Sequence, residues 1–134
     1  MSMHFIADGG GTKTEYLLFD SHGCAHAYWR TEGTNATFVG NELALRRVDE
    51  GLNASLNQAG INLRELKSIS LFIPGFESCI EDYQQSIGHP DIQQMEDFWN
   101  AFYGALAMPR GIVALAGTGS FAAGVNRAGE KISV

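Results

Sequence analysis

The chain has 134 residues, 45% of them hydrophobic and 18% charged, with 16 glycines, a net charge of −6 and a pI near 5.0. These proportions belong to a globular domain, and the acidic balance lacks the basic stripe that nucleic-acid binding requires, so no nucleic-acid partner is expected. No apolar run approaches the roughly 18 residues of a membrane span and no signal-type segment opens the chain, so a soluble cytoplasmic protein with no membrane partner is expected.

His4–Ala7 predicts a short buried strand ending at Asp8, Gly9–Thr12 a turn, and Thr14–Asp20 a strand returning from it. Ser21-His22-Gly23 predicts a second turn and Cys24–Thr31 a third strand, which completes an antiparallel meander. The period then changes. Leu43, Val48, Leu52, Leu56 and Ala59 recur at three- to five-residue steps, so Asn41–Ala59 predicts an amphipathic helix ended by Gly60. Ser68–Ile73 predicts a strand broken by Pro74-Gly75, Cys79–Ile87 a second helix, and Ile92–Met95 a weak strand. Asp97–Met108 predicts a third, largely buried helix. Ile112–Ala116 predicts an apolar strand, Gly117–Gly119 a turn, Ser120–Asn126 the returning strand, and Arg127–Gly129 a last turn.

Apolar strand, Gly-Thr turn and returning strand thus occur twice, near residue 10 and near residue 118. The second copy stops just after its hairpin. Residues 1–110 are therefore expected to form one α/β domain and residues 111–134 the opening strands of a second, incomplete one. The chain is expected to be a truncated protein or one half of something larger, and its uncovered strand Ile112–Ala116 to favour self-association or a homodimer.

The chemistry concentrates in the two turns. In Asp8-Gly9-Gly10-Gly11-Thr12-Lys13-Thr14, a carboxylate ends a strand and three residues without Cβ let the main chain approach an anion. Successive N–H groups in such a turn form an anion nest; Thr12 and Thr14 add hydroxyls and Lys13 a positive charge. Asp8 repels phosphate unless a divalent cation lies between them, which suggests a Mg²⁺–nucleotide. The order Gly11-Thr12-Lys13, followed by a strand, does not match the Gly-Lys-Ser/Thr loop that opens a helix. A bland alternative is a tight hairpin whose glycines only supply positive φ. Gly117-Thr118-Gly119-Ser120 is the second candidate phosphate turn. With Ala122 it matches the glycine pattern of dinucleotide folds, but Gly124, Asn126 and Gly129 interrupt the helix those folds need. Cys24 and Cys79 have no metal-ligand spacing and read as ordinary reduced thiols, and the four histidines are scattered.

Together, DGGGTKT with Asp20 after it and ALAGTGS about a hundred residues later resemble the two phosphate motifs of the actin/Hsp70/sugar-kinase superfamily. More narrowly, they resemble the N-acetylglucosamine kinase, glucosamine kinase and BadF/BadG-type ATPase group. The resemblance implies a ribonuclease-H-like, actin-like ATPase fold, an α/β arrangement of a three-strand antiparallel meander plus parallel strands with helices on both faces. It places nucleotide and sugar in a cleft between two such domains.

It also implies roles for single residues. ATP phosphates would be held by Gly10, Gly11, Thr12, Lys13, Thr14, Gly117, Thr118, Gly119 and Ser120, and Mg²⁺ by Asp8 through water. The sugar would be held by Thr34, Asn35 and the turn at Gly75. Asp97, twenty residues before Gly117, would be the catalytic aspartate at a helix start, where the first turn orients and ionises it. A plain helix-capping role for Asp97 is the competing reading.

The function implied is an ATP-dependent kinase of an amino sugar, N-acetylglucosamine or glucosamine. Segments holding adenosine would lie beyond Val134, so the 134-residue chain alone is expected to be inactive. One alternative is a BadF-like ATPase activator of a dehydratase, which holds an iron–sulfur cluster with paired cysteines that this chain does not have in those places. The other is a non-catalytic sugar-binding sensor.

Overall fold

The computed structural model describes residues 1–96, 99, 104, 106–107, 110–116 and 120–133. It divides into two compact units, Met1–Met95 and Glu96–Val134.

In the first unit β1 (Met3–Gly9), β2 (Lys13–Asp20) and β3 (Ala25–Glu32) form the expected meander. β4 (Leu66–Phe72) and β5 (Ile92–Gln94) extend it on the β1 side in parallel, giving the order β3-β2-β1-β4-β5. The registers Phe5↔Leu18, Ala7↔Tyr16 and Phe5↔Ile69 set every second side chain on one face. Phe5, Ala7, Tyr16, Leu18, Ala27, Ile69 and Leu71 are all buried there. Each large apolar side chain so buried contributes about 1.5–3 kcal/mol.

The helix α2 (Asn41–Ala59) lies on that face with the predicted bounds, burying Ala44, Val48, Leu52 and Leu56. Gly60 ends it in the left-handed conformation, φ +71°, which a side chain would disfavour. Midway along the helix, Gly51 is required by contact. A Cβ there would run into the Tyr16 ring, so Gly51→Ala must displace the ring or the helix. The second helix, α3 (Ile80–Ile87), joins the same core through Tyr83. Its ring meets Phe76 edge-on at 6.2 Å, and its hydroxyl donates to Asp49 Oδ1 at 3.5 Å.

Two short elements had no periodic signal. Asn35 caps a four-residue helix α1 (Ala36–Val39), its Oδ1 accepting from Thr37 N–H at 3.0 Å. A 3-10 turn at Leu63–Glu65 precedes β4, closed by a reciprocal cap between Asn62 and Glu65. The β2–β3 turn is built around Asp20, which is buried and accepts from His22 N–H at 2.8 Å, Cys24 N–H at 3.1 Å and His26 Nε2 at 2.7 Å. The His26 bond, ahead of the two backbone donors, holds the Asp20 carboxyl below its ordinary range.

In the second unit β6 (Gly111–Ala116), β7 (Ser120–Val125) and β8 (Lys131–Ser133) form an antiparallel sheet. Val113, Ala123 and Val125 bury one face against Trp99 and Leu106. On the other face Ile112, Gly124 and Ile132 stand in one row, and both isoleucines are exposed. The third predicted helix, 97–108, lies mostly outside the described residues.

Candidate functional site

The meander delivers the glycine turn to one end of the sheet. Gly9↔Thr14 is the last pair of the β1–β2 ladder, and Gly10 N–H donates to Lys13 O at 2.8 Å, which leaves Gly11 and Thr12 as an exposed two-residue tip. Among the described residues, the N–H groups of Gly11 and Thr12 donate to no other group.

Gly9 and Gly10 do not have positive φ, so conformational freedom is not what requires glycine at these two positions. Close approach explains Gly9. A Cβ there would stand 2.9 Å from Ile73 Cγ2 and 3.1 Å from Thr34 Oγ1. The loop between β3 and α1 presses on the turn from the other side, where a Cβ at Gly33 would stand 2.6 Å from Gly11 O and 3.3 Å from Gly10 O. Gly75 has φ +78°, and a Cβ on it would overlap Asn35 Oδ1. Three segments, 9–14, 33–35 and 73–75, therefore meet closely, the first two main chain against main chain and the third through the side chains of Ile73 and Asn35.

Thr14 and Thr34 are both fully buried, with hydroxyls 2.7 Å apart. Those hydroxyls serve each other, tying the start of β2 to the loop. Asn35 is half-buried; with Oδ1 held by Thr37 N–H, its amide NH₂ is the group left to donate. The loop is held from behind by Arg47 of α2, which donates through Nη1 to Gly33 O at 2.7 Å and through Nη2 to Glu32 Oε2 at 2.6 Å. Tyr16 braces the same place, its hydroxyl 2.9 Å from Thr31 Oγ1 and donating to Arg47 O at 3.2 Å. Burial, partly offset by the Thr31 bond, pushes the Tyr16 phenol up to about 12.

Asp8 sits in the exposed register position between Glu15 of β2 and Phe72 of β4. Lys13 lies two residues from Glu15 on the same strand face, with its Nζ 2.7 Å from Glu15 Oε1. Both members of this pair are well exposed, so the pair contributes under about 1 kcal/mol and an incoming phosphate could displace it at little cost. No group of three metal-ligating side chains exists among the described residues. An exposed carboxylate beside a turn whose Gly11 and Thr12 N–H groups meet no acceptor among the described residues suits Mg²⁺, which keeps most of its waters and takes its other ligands from phosphate.

Asp8, Gly10–Thr14, Thr34, Asn35 and Gly75 are thus brought together in the first unit. Asp97, Gly117, Thr118 and Gly119 lie outside the described residues, and Ser120 opens β7 in the second unit. Sequence reasoning missed Gly33, Arg47, Glu15 and Ile73. The Lys13/Glu15 alternation could have been found along the strand, but Arg47 and Ile73 act across the fold and leave no local signal. A separate cavity lies at the opposite end of β4, whose seven residues span about 20 Å.

The model of the BadF/BadG/BcrA/BcrD ATPase family matches residues 7–132. No curated protein matches the chain. Among solved structures, a provisionally assigned N-acetylglucosamine kinase from Chromobacterium violaceum is 22% identical with a TM-score of 0.79, over 99% of this chain and 48% of that one. The ethanolamine utilization protein EutJ from Carboxydothermus hydrogenoformans is 16% identical with a TM-score of 0.70, over 100% of this chain and 52% of that one. A ROK-family glucokinase from Streptomyces griseus, solved with glucose and AMPPNP, is 14% identical with a TM-score of 0.65, over 91% of this chain and 44% of that one. The chain spans about half the length of these structures. Likeness at these identities establishes the fold, the ribonuclease-H-like α/β architecture of actin-like ATPases and sugar kinases.

Proposed function

The chain belongs to the BadF/BadG/BcrA/BcrD ATPase family, and on that premise we propose that it supplies the phosphate- and sugar-binding half of an ATP-dependent amino-sugar kinase. The observation that carries this reading is the convergence of the glycine turn with the Thr34-Asn35 loop and the Gly75 turn. A phosphate site alone would not need the last two.

In this reading the Gly11 and Thr12 N–H groups and the Lys13 ammonium receive phosphate oxygens. Asp8 holds Mg²⁺ through water, and the cation neutralises charge on the phosphates when bound. The Asn35 amide donates to a hydroxyl of N-acetylglucosamine or glucosamine, and the backbone of Gly75 closes one wall. Thr14 and Thr34 position these groups through their mutual bond. Asp97 is the proposed base. It takes the proton of the sugar hydroxyl as that oxygen bonds to the γ-phosphorus and the bond to ADP breaks. Gly117, Thr118, Gly119 and Ser120 form the proposed second phosphate turn. The proposed setting is the cytoplasm, where ATP and sugar are supplied.

A dehydratase activator would bridge subunits with accessible paired cysteines. Cys24 is exposed on the β2–β3 turn and Cys79 is fully buried, which does not favour that role. Calorimetric titration of the chain with N-acetylglucosamine, glucosamine and Mg-ADP tests the proposal. A kinase half binds an amino sugar, with Asn35→Ala abolishing the heat. Nucleotide binding with no sugar binding would leave the activator reading, and no sugar heat with any amino sugar would sink the proposal.

A further inference from the structure

The cavity at the far end of β4, of about 700 Å³, has the size of a small-molecule site and the wrong place for the phosphate chemistry. Its floor is Leu66 and His89, both buried; Leu63 and Ile87 form half-buried apolar walls; Arg64 and Lys67 stand exposed at the rim. The floor offers no free polar group. His89 Nε2 donates to Leu66 O at 2.8 Å, and Nδ1 accepts from Asp91 N–H at 3.1 Å.

The rim is different. Among the described residues, neither Arg64 nor Lys67 makes an ion pair. The carboxylate nearest in sequence to both, Glu65, is engaged by Asn62 N–H at 2.6 Å. In a chain of net charge −6, Arg64 and Lys67, three residues apart, form a basic edge over an apolar trough, and the carboxylates that flank the lining in sequence are Glu65, held by Asn62 N–H, and Asp91. A guanidinium and an ammonium suit a carboxylate or phosphate head, while the trough suits an apolar body. Neither feature alone selects such a ligand; together they do.

We infer that this groove binds a small organic anion, its carboxylate or phosphate head between Arg64 and Lys67 and its apolar body along Leu63 and Ile87. The site is separate from the kinase reading and does not depend on it.

The test is a ¹⁵N-resolved titration of the full chain with phenylbutyrate, phenylbutyl phosphate, phenylbutanol and inorganic phosphate. The two amphipathic anions are expected to shift amides of 62–67 and 87–89 saturably, and phenylbutanol to bind about tenfold more weakly. The double variant Arg64→Ala/Lys67→Ala should weaken phenylbutyrate about tenfold and leave phenylbutanol unchanged. Both substitutions are on exposed side chains, so the fold is retained; Leu63→Asp, which puts a negative charge on the wall, should remove binding of both anions. Tighter binding of the phosphate than the carboxylate, or the reverse, identifies the head group within the proposal. Equal affinity for acid and alcohol, indifference to the double variant, or inorganic phosphate binding as tightly as phenylbutyl phosphate would each overturn it.

Discussion

The hydroxyls of Thr14 and Thr34 lie 2.7 Å apart with neither side chain reached by solvent, joining the first residues after the glycine turn to the loop that carries Asn35. Removing one hydroxyl strands the other. Thr14→Val or Thr34→Val should each cost about 1–3 kcal/mol in urea unfolding, and the double variant clearly less than their sum. Neutral single variants, or strict additivity, would show that the bond does not bind the segments together.

Gly75→Ala should combine two penalties. The φ of +78° costs a side chain about 1–2 kcal/mol, and the overlap with Asn35 Oδ1 forces that amide off its bond to Thr37. Gly23→Ala is the control, with φ +82° and nothing within 4 Å of its Cβ. Both variants should lower the melting temperature, while sugar affinity falls at least about tenfold in Gly75→Ala alone. Equal sugar affinity in the two would remove Gly75 from the pocket.

Arg47→Met keeps the aliphatic stem and loses the bonds to Gly33 O and Glu32. Since the guanidinium reaches the loop and not the ligand, sugar affinity should drop about three- to tenfold with nucleotide affinity nearly unchanged. Arg47→Lys, which retains charge but not the fork, should recover only part. A uniform loss for both ligands would point to general unfolding instead.

Tyr16 makes stability sensitive to alkali. Its phenol titrates near 12 in the fold against an ordinary value of 10.0, so between those values the folded chain keeps a proton that the unfolded chain has lost. The contribution is whole below pH 10, declines as pH rises, and is gone above about 12, a change of about 3 kcal/mol. Burial raises the Tyr83 phenol in the same direction, so the informative quantity is the difference between wild type and Tyr16→Phe. The gap between their unfolding free energies should narrow or invert from pH 9.5 to 11.5; parallel curves would refute the assignment.

Much of the fold was legible because its signals are local. The helix at Asn41–Ala59 has a 3.6-residue stripe and a glycine stop, and structure and prediction coincide. β4 starts two residues earlier than the apolar run suggests, because Lys67 points outward between buried Leu66 and Ile69 and masks the strand's beginning. β8 is three residues long and polar at both ends, too short for any period. In the site, the glycine run announced a close approach, but not to what. Ile73 and Gly33 supply the opposing surfaces, and no spacing along the chain connects residue 9 to residue 73. Asn35 was placed with the sugar by resemblance, whereas its additional work as the cap of α1 follows from an Asn preceding a helix too short to be seen.

Gly33 rests on the carbonyls of Gly10 and Gly11 with no room for one carbon between them. The compartment proposed for the acceptor and the bend proposed for the donor therefore share a partition one backbone thick. Enlarging either room would push the partition into the other. Drift toward bulkier sugars should thus come from residues on the outer margins, such as the exposed Phe38, and not from this wall.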